Sequence, residues 1–226
     1  MSRLKWLEVG ERKYETGTKQ GVFYPQDDKG EYPLGVPWNG LQGVSESPSG
    51  AEPTKLWADD TKYVELRSAE EFGATIEYYT YPDEFAECNG EVEVAPGVYA
   101  GQQERKPFGL CYRTIIGNDV KKDGYGYKLH LVYGATAAPS EKGYTTVNDN
   151  PEAITFSSEL TTTPLTVEGL EKPTATLVID STKTDAAKLK ALEDILYGTD
   201  GTDGGEGTEA RLPLPGEVIE LLKATA

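Results

Sequence analysis

Ile154-Thr-Phe-Ser-Ser-Glu-Leu-Thr-Thr-Thr163 and Thr174-Ala-Thr-Leu-Val-Ile-Asp180 decide the fold class of this chain. In the first stretch Ile154, Phe156 and Leu160 fall on one face of an extended backbone, and Thr155, Ser157, Glu159 and Thr161 on the other. In the second, Ala175, Leu177 and Ile179 oppose Thr176, Val178 and Asp180. Alternation with period two belongs to strands that bury one face and wet the other, as in an antiparallel sandwich or barrel. Residues 4–9, 62–67, 74–81, 108–116 and 127–133 are further short runs rich in Val, Ile, Thr and Tyr. Most are bounded by Gly, Pro, Asn or Asp, and they read as strands. The expected fold is mainly β, an antiparallel β-sandwich forming a single domain over residues 1–226.

One stretch changes period. Asp185-Ala-Ala-Lys-Leu-Lys-Ala-Leu-Glu-Asp-Ile-Leu-Tyr197 sets Leu189, Leu192 and Leu196 at i, i+3 and i+7 with charges opposite, which predicts a helix over 185–197 flanking the sheet. Thr184 or Asp185 can cap its first turn, and Gly198 stands where a helix stops. Ser68-Ala-Glu-Glu71 matches the capping-box pattern and predicts one helical turn. Residues 217–223, after Pro213 and Pro215, predict a second short helix. Residues 21–53 carry Pro25, Pro33, Pro37, Pro48 and Pro53 and read as an extended loop or arm. Residues 198–211 read as a flexible Gly-rich linker, and 212–226 as a C-terminal arm.

The 226 residues hold 38 Asp and Glu against 22 Lys and Arg, a net charge of −16. Such a balance excludes a sequence-reading DNA protein, whose phosphate contacts need clustered cations. It equally disfavours an anionic membrane surface. No run approaches the ~18 apolar residues of a membrane span. The first ten residues have an early basic pair without a long apolar segment behind it, so synthesis and assembly in the cytoplasm are expected. Cys88 and Cys111 are expected to be reduced and partly buried.

Catalytic signatures are missing. There is no phosphate-binding G-x-x-x-x-G-K-[ST] and no H-E-x-x-H. Gly124-Tyr-Gly126 begins like a dinucleotide fingerprint but lacks the third glycine and a following helix. The one histidine, His130, alternates with Leu129 and Leu131, hence is expected on the outer face of a strand as a surface or interface residue. Acid pairs such as Asp27-Asp28 and Asp59-Asp60 lack calcium-loop spacing and read as solvated charge. Glu70, Glu71 and Glu77 could only be a glycosidase pair at a separation of ~5–10 Å, which spacing along the chain does not supply. Fourteen tyrosines against five phenylalanines fit either β-propensity or subunit interfaces.

Several longer blocks carry a resemblance. They are Tyr32-Pro-Leu-Gly-Val-Pro-Trp-Asn-Gly-Leu41, Ser45-Glu-Ser-Pro-Ser-Gly-Ala-Glu-Pro-Thr-Lys55 and Ser68-Ala-Glu-Glu-Phe-Gly-Ala-Thr-Ile-Glu77. They continue with Tyr81-Pro-Asp-Glu-Phe-Ala-Glu-Cys88, Tyr112-Arg-Thr-Ile-Ile-Gly-Asn118, Tyr127-Lys-Leu-His-Leu-Val-Tyr-Gly134 and Lys172-Pro-Thr-Ala-Thr-Leu177. Through them the chain closely resembles the major tail protein, or tail tube protein, of siphophages and prophages of Gram-positive bacteria. The resemblance implies a tail-tube type of β-sandwich, forming hexameric rings that stack into a non-contractile tube in the virion. It implies as partners further copies of the chain, a tape-measure protein, a tail terminator and distal tail or baseplate proteins. DNA would pass through the lumen without specific binding, and no membrane would be engaged. No catalytic, cofactor or metal residues are implied.

If the run around residues 74–78 belongs to the inner sheet, Ala74, Ile76 and Tyr78 face the core while Thr75 and Glu77 face the lumen. Glu65 is a further lumen candidate from the neighbouring run. Acidic side chains there would repel DNA phosphates so that the genome slides without sticking. The alternative is a carbohydrate-binding β-sandwich for host recognition, with tyrosines as a stacking platform. A carboxylate-based hydrolase and a capsid-decorating protein are further alternatives.

Overall fold

A computed structural model describes residues 3–147, 149, 152–201 and 207–223. Its strands are β1 (Lys13–Pro25), β2 (Val36–Pro37), β3 (Leu41–Glu46), β4 (Ser49–Gly50), β5 (Pro53–Ala58), β6 (Thr61–Arg67), β7 (Glu70–Glu71), β8 (Gly73–Tyr78), β9 (Val92–Ala95), β10 (Val98–Ala100), β11 (Phe108–Asn118), β12 (Lys122–Ala137), β13 (Phe156–Thr162) and β14 (Thr176–Asp180). The helices are α1 (Phe85–Cys88), α2 (Ala186–Tyr197) and α3 (Pro215–Leu222). One antiparallel sheet runs β2-β1-β11-β12-β13-β8-β3, with β14 also paired to β12. Three two-stranded pairs, β5–β6, β9–β10 and β4–β7, stand outside it. The chain is thus mainly β and antiparallel, with α2 flanking the sheet.

The centre departs from the one-face-wet pattern. Along β1, β11 and β12 successive side chains enter two different cores. Val22, Tyr24, Cys111, Leu131 and Tyr133 pack with Leu189, Leu192 and Leu196 of α2 and Val218 of α3. Phe23, Leu110, Tyr112 and Val132 pack with Ile76, Tyr78 and Leu160 on the opposite side. Residues 108–112 and 131–135 are consequently buried without a break. Each fully buried large apolar side chain contributes roughly 1.5–3 kcal/mol. These central strands therefore anchor the fold. In β13, by contrast, the expected alternation holds, with buried Leu160 between exposed Glu159 and Thr161.

β12 turns the corner between the two layers. Its residues 128–132 pair with β14, and residues 135–137 with β13. Between them the register against β11 slips from Leu110↔Val132 to Phe108↔Ala135, so one extra residue bulges at the bend. Gly134 sits there at φ +57°, and a Cβ on it would lie 2.6 Å from the Thr163 carbonyl oxygen. Only glycine fits both constraints.

α2 begins where expected: the Asp185 carboxylate accepts from the amides of Ala187 at 3.0 Å and Lys188 at 3.1 Å. Gly198 closes it at φ 75°. Other expectations need correcting. Residues 4–9 form no strand, because no neighbouring strand edge receives them. Glu70 and Glu71 pair with Gly50 and Ser49 instead of starting a helical turn, the β4 edge taking their backbone groups. Residues 21–53 are not an arm. They carry the end of β1, bury Phe23, Tyr24, Tyr32 and Trp38, and add β3 to the main sheet. Their prolines were a misleading signal: Pro25 ends β1 and Pro37 lies in the edge strand β2, where no ladder bond is lost.

The C-terminal segment docks too. Leu212 pairs with Tyr32, and α3 starts with Pro215 in its first turn and buries Val218 against α2. Thr199 and Thr208 bridge across the Gly-rich stretch, whose residues 202–206 lie outside the described residues.

Replacing Gly134 by alanine is expected to lower unfolding free energy by about 1–3 kcal/mol. The same change at Gly43, where a Cβ meets nothing within 4 Å, is expected to stay within about 0.5 kcal/mol. Urea titrations of the two variants make the comparison.

Candidate assembly surface

With both central faces covered, the remaining apolar side chains have no core to join. β5 and β6 form a hairpin closed by Asp59 and Asp60, both with positive φ (51° and 57°), which suits a two-residue turn of the hairpin type. Along it Trp57 is 66% and Tyr63 76% exposed, with Leu56 and Leu66 also exposed. A two-stranded hairpin is marginal by itself. The β9–β10 hairpin likewise exposes Val94, Val98 and Tyr99. The N-terminal segment exposes Leu4, Trp6, Leu7 and Val9, each by more than 70%. Arg12 donates to its Leu7 carbonyl at 3.0 Å, and at its end Gly10 N–H donates to Asp119 at 3.0 Å and Asn118 donates to the Gly10 carbonyl at 3.0 Å. Apolar surface of this extent on three projections marks contact sites.

The structure brings two of the expected lumen residues together and leaves the third apart. Ala74, Ile76 and Tyr78 of β8 point into the core, and Thr75 and Glu77 point away from it. Thr75 stands beside Glu159 and Ser45, and Glu77 beside Ser157 and Gly43, in a polar face shared by β13, β8 and β3. Glu65 belongs to the β5–β6 hairpin instead. Its carboxylate is held by Lys62 and by Arg67 at 2.9 Å, and these two cations keep it below the usual carboxylate range. Glu159 was not singled out from sequence as a partner of Thr75, because strand register is invisible without the β13–β8 pairing.

Five tyrosines, Tyr24, Tyr32, Tyr78, Tyr112 and Tyr133, are buried. Tyr24 donates to the Leu196 carbonyl at 2.7 Å and Tyr133 to the Pro213 carbonyl at 3.0 Å, pinning α2 and the α3 approach to the sheet. The Tyr32 hydroxyl accepts from the Gly134 amide at 2.8 Å, at the corner itself. Tyr78 meets Ser158 at 2.8 Å. These buried rings are not available as a sugar platform, whereas Tyr14, Tyr63, Tyr79, Tyr99 and Tyr144 are exposed. Cys88 and Cys111 are unpaired and lie in different cores, where burial pushes both thiols up to about 12.

His130 is not a surface residue. Its ring stacks on Tyr112 with centroids 4.6 Å apart, and its Nε2 lies 3.0 Å from Thr114 Oγ1. Nδ1 sits 3.3 Å from Glu46 Oε1 without hydrogen-bond alignment, while Tyr112 donates to that same oxygen at 2.6 Å. β3 therefore folds Glu46 over the ring and covers it. Burial pulls the imidazole below its ordinary value of 6.5, outweighing the attraction of Glu46. Among the described residues no three His, Cys, Asp or Glu side chains gather as a metal site, and no helix is long and apolar enough to cross a membrane. Gly124 and Gly126 lie within β12, with no helix behind them to receive a pyrophosphate.

No protein-family model matches the chain, and no curated protein matches it. Several solved structures are similar to it, two of them as follows. One is a sheath/tube terminator of an extracellular contractile injection system (PVC) in the extended state, 8% identical, with a TM-score of 0.34 over 78% of this chain and 99% of the other. The second is a chain of the anti-feeding prophage (AFP) baseplate, also 8% identical, with a TM-score of 0.37 over 78% and 97%. Similarity at this level does not assign a role.

A histidine whose folded pKa lies below its unfolded value binds fewer protons when folded, so stability falls as pH drops through about 6.5. Chemical denaturation between about pH 7.5 and 5.5 is expected to show this loss. His130→Gln, which keeps a partner for Thr114, is expected to flatten it; an unchanged pH slope would assign the loss elsewhere.

Proposed function

We propose that this chain is a structural subunit of a phage tail tube, assembling as hexameric rings stacked into a non-contractile conduit for DNA. The observation that carries this reading is the pairing of a saturated body with unsaturated projections. The β1–β11–β12 centre needs no further cover, while the β5–β6 hairpin holds out Trp57 and Tyr63 with nothing among the described residues to bury them. An assembling subunit buries such surface against its neighbours. The sequence blocks that resemble tail tube proteins choose among assemblies. Tape-measure, terminator and distal tail proteins are the partners this role requires.

The polar face of β3, β8 and β13 supplies a complementary property. Thr75, Glu77, Glu159 and Ser157 offer no cation and no aromatic ring to a passing nucleic acid. Turned to the lumen, that face repels phosphates within roughly a Debye length of ~8–10 Å. Glu65, held between two cations on the hairpin, serves the projection in this reading and contributes little to that field.

Electron microscopy of the purified protein over a concentration series tests the assignment; hexameric rings or hollow tubes are expected, and a monomer at every concentration overturns it. Trp57→Ser with Tyr63→Ser is expected to abolish assembly while changing monomer stability by no more than about 0.5 kcal/mol. For the lumen, phage carrying Glu77→Lys should eject DNA more slowly and with stronger salt dependence. Unchanged ejection would remove Glu77 from the channel wall.

A further inference from the structure

α1 ends in a cluster of an amide, a carboxylate, an amine and a guanidinium. Asn89 caps its last turn, the backbone N–H donating to the Phe85 carbonyl at 2.9 Å, and Gly90 leaves it at φ 77°. Asn89 is 6% exposed, and both ends of its side-chain amide are engaged. Its Oδ1 accepts from Arg105 Nη1 at 3.2 Å, and its Nδ2 donates to Glu91 Oε1 at 3.4 Å. A Cβ on Gly90 would lie 3.3 Å from the Arg105 side chain, so the glycine gives the guanidinium room to reach Asn89. The Ala137 carbonyl accepts from the same Arg105 nitrogen at 3.1 Å and fixes it.

The same Glu91 oxygen accepts from Lys142 Nζ at 2.5 Å. β12 ends at Ala137, and the chain beyond it is tied to β13: Ala138 N–H donates to the Glu159 carbonyl at 2.7 Å, and Glu159 N–H to Ser140 Oγ at 3.3 Å. Lys142 then lies over the Tyr81 ring, 5.6 Å from its centroid. Tyr81 donates to the second Glu91 oxygen at 3.3 Å and packs edge-on against Phe85 and Tyr78. Among the described residues Lys142–Glu91 is the lysine–carboxylate pair that also holds an asparagine amide. A nucleophile, a base and an oxyanion-stabilising cation thus surround one amide carbonyl, beside aromatic rings.

We propose that Lys142 and Asn89 join in an intramolecular isopeptide bond, with Glu91 as the catalytic base and acid. Glu91 takes a proton from the Lys142 ammonium, and the freed Nζ attacks Asn89 Cγ. Arg105 stabilises the negative charge that develops on Oδ1. As the intermediate collapses, the Cγ–Nδ2 bond breaks. The attacking nitrogen gives up a further proton, Glu91 returns the one it took, and the amide nitrogen departs as ammonium. Glu91 ends as the carboxylate it began, and no other reactant enters. Burial pulls Lys142 down, but Glu91, Tyr81 and Tyr144 hold its ammonium above the ordinary value, so the reaction quickens as pH rises. The bond closes residues 89–142 into a covalent loop and ties the turn after α1 to the segment between β12 and β13, which restrains the unfolded chain. It is independent of the tube assignment.

Mass spectrometry of the full chain under denaturing conditions tests it, after incubation of the folded protein at about pH 7 and about pH 9. The expected result is loss of one ammonia, faster at the higher pH, and after proteolysis a branched peptide joining the Asn89 and Lys142 segments. Lys142→Arg, which keeps a cation on Glu91, is expected to give no branch. Glu91→Gln is expected to slow its formation by about tenfold or more. An unchanged wild-type mass at both pH values overturns the inference. So does ammonia loss confined to the Asn89–Gly90 peptide, which would mark imide closure by the Gly90 amide, a group that donates instead to the Glu87 carbonyl at 3.2 Å. A branch that forms in Glu91→Gln at the wild-type rate overturns the role given to Glu91.

Discussion

Burial of one sheet on both faces governs the rest of this structure. β1, β11 and β12 send alternate side chains into two cores, so each face must be covered by an element the same chain provides. α2 and α3 cover one face, and β3, β8 and β13 cover the other. Tyrosine serves this design because one end fills apolar volume while the hydroxyl reaches a polar group on the covering element. Tyr24 to Leu196, Tyr133 to Pro213 and Tyr112 to Glu46 are such links. Leaving one of these hydroxyls unpaired would cost about 1–3 kcal/mol, so the links select the docking of each cover as well as its presence. Aromatic packing fills the second core, where Phe85 of the one-turn α1 meets Trp38, Phe23 and Phe108 with centroids 4.8, 5.6 and 5.4 Å away.

Much of this was legible in local pattern. Period-two alternation found β13 and β14, and the Leu189, Leu192 and Leu196 stripe with Asp185 as cap found α2. What local pattern concealed were features set by distant residues. A strand buried on both faces loses its alternation, so residues 108–112 and 131–135 did not announce that two cores meet there. The prolines of 21–53 signalled a loop, but a proline at a strand end or edge costs no ladder bond, and the buried Tyr32 and Trp38 decide that segment. For the candidate surface, the inward or outward sense of Thr75 and Glu77 followed from alternation alone. Their neighbours Glu159 and Ser157 required register, and the exposure of Trp57 and Tyr63 required knowing that no other element among the described residues covers them.

The covered centre and the exposed projections divide two physical tasks. Apolar side chains on hairpins can bury against another molecule without disturbing the fold, because the hairpins share no core with the body. The face of β3, β8 and β13 does the reverse. It is ordered by its neighbours and offers acids and hydroxyls outward, a surface that resists adhesion. A subunit that had to grip its copies and let a polyanion slide past would need both properties on separate elements.

In the proposed tube, the same separation bears on when assembly would happen. A hairpin with no apolar cover pays backbone ordering of ~1–2 kcal/mol per residue with little return until a neighbour arrives. Thirteen strand residues in β5 and β6 therefore make each isolated contact weak, and a contact becomes favourable once several projections engage at once. Assembly governed this way is suppressed at low occupancy and steep above it.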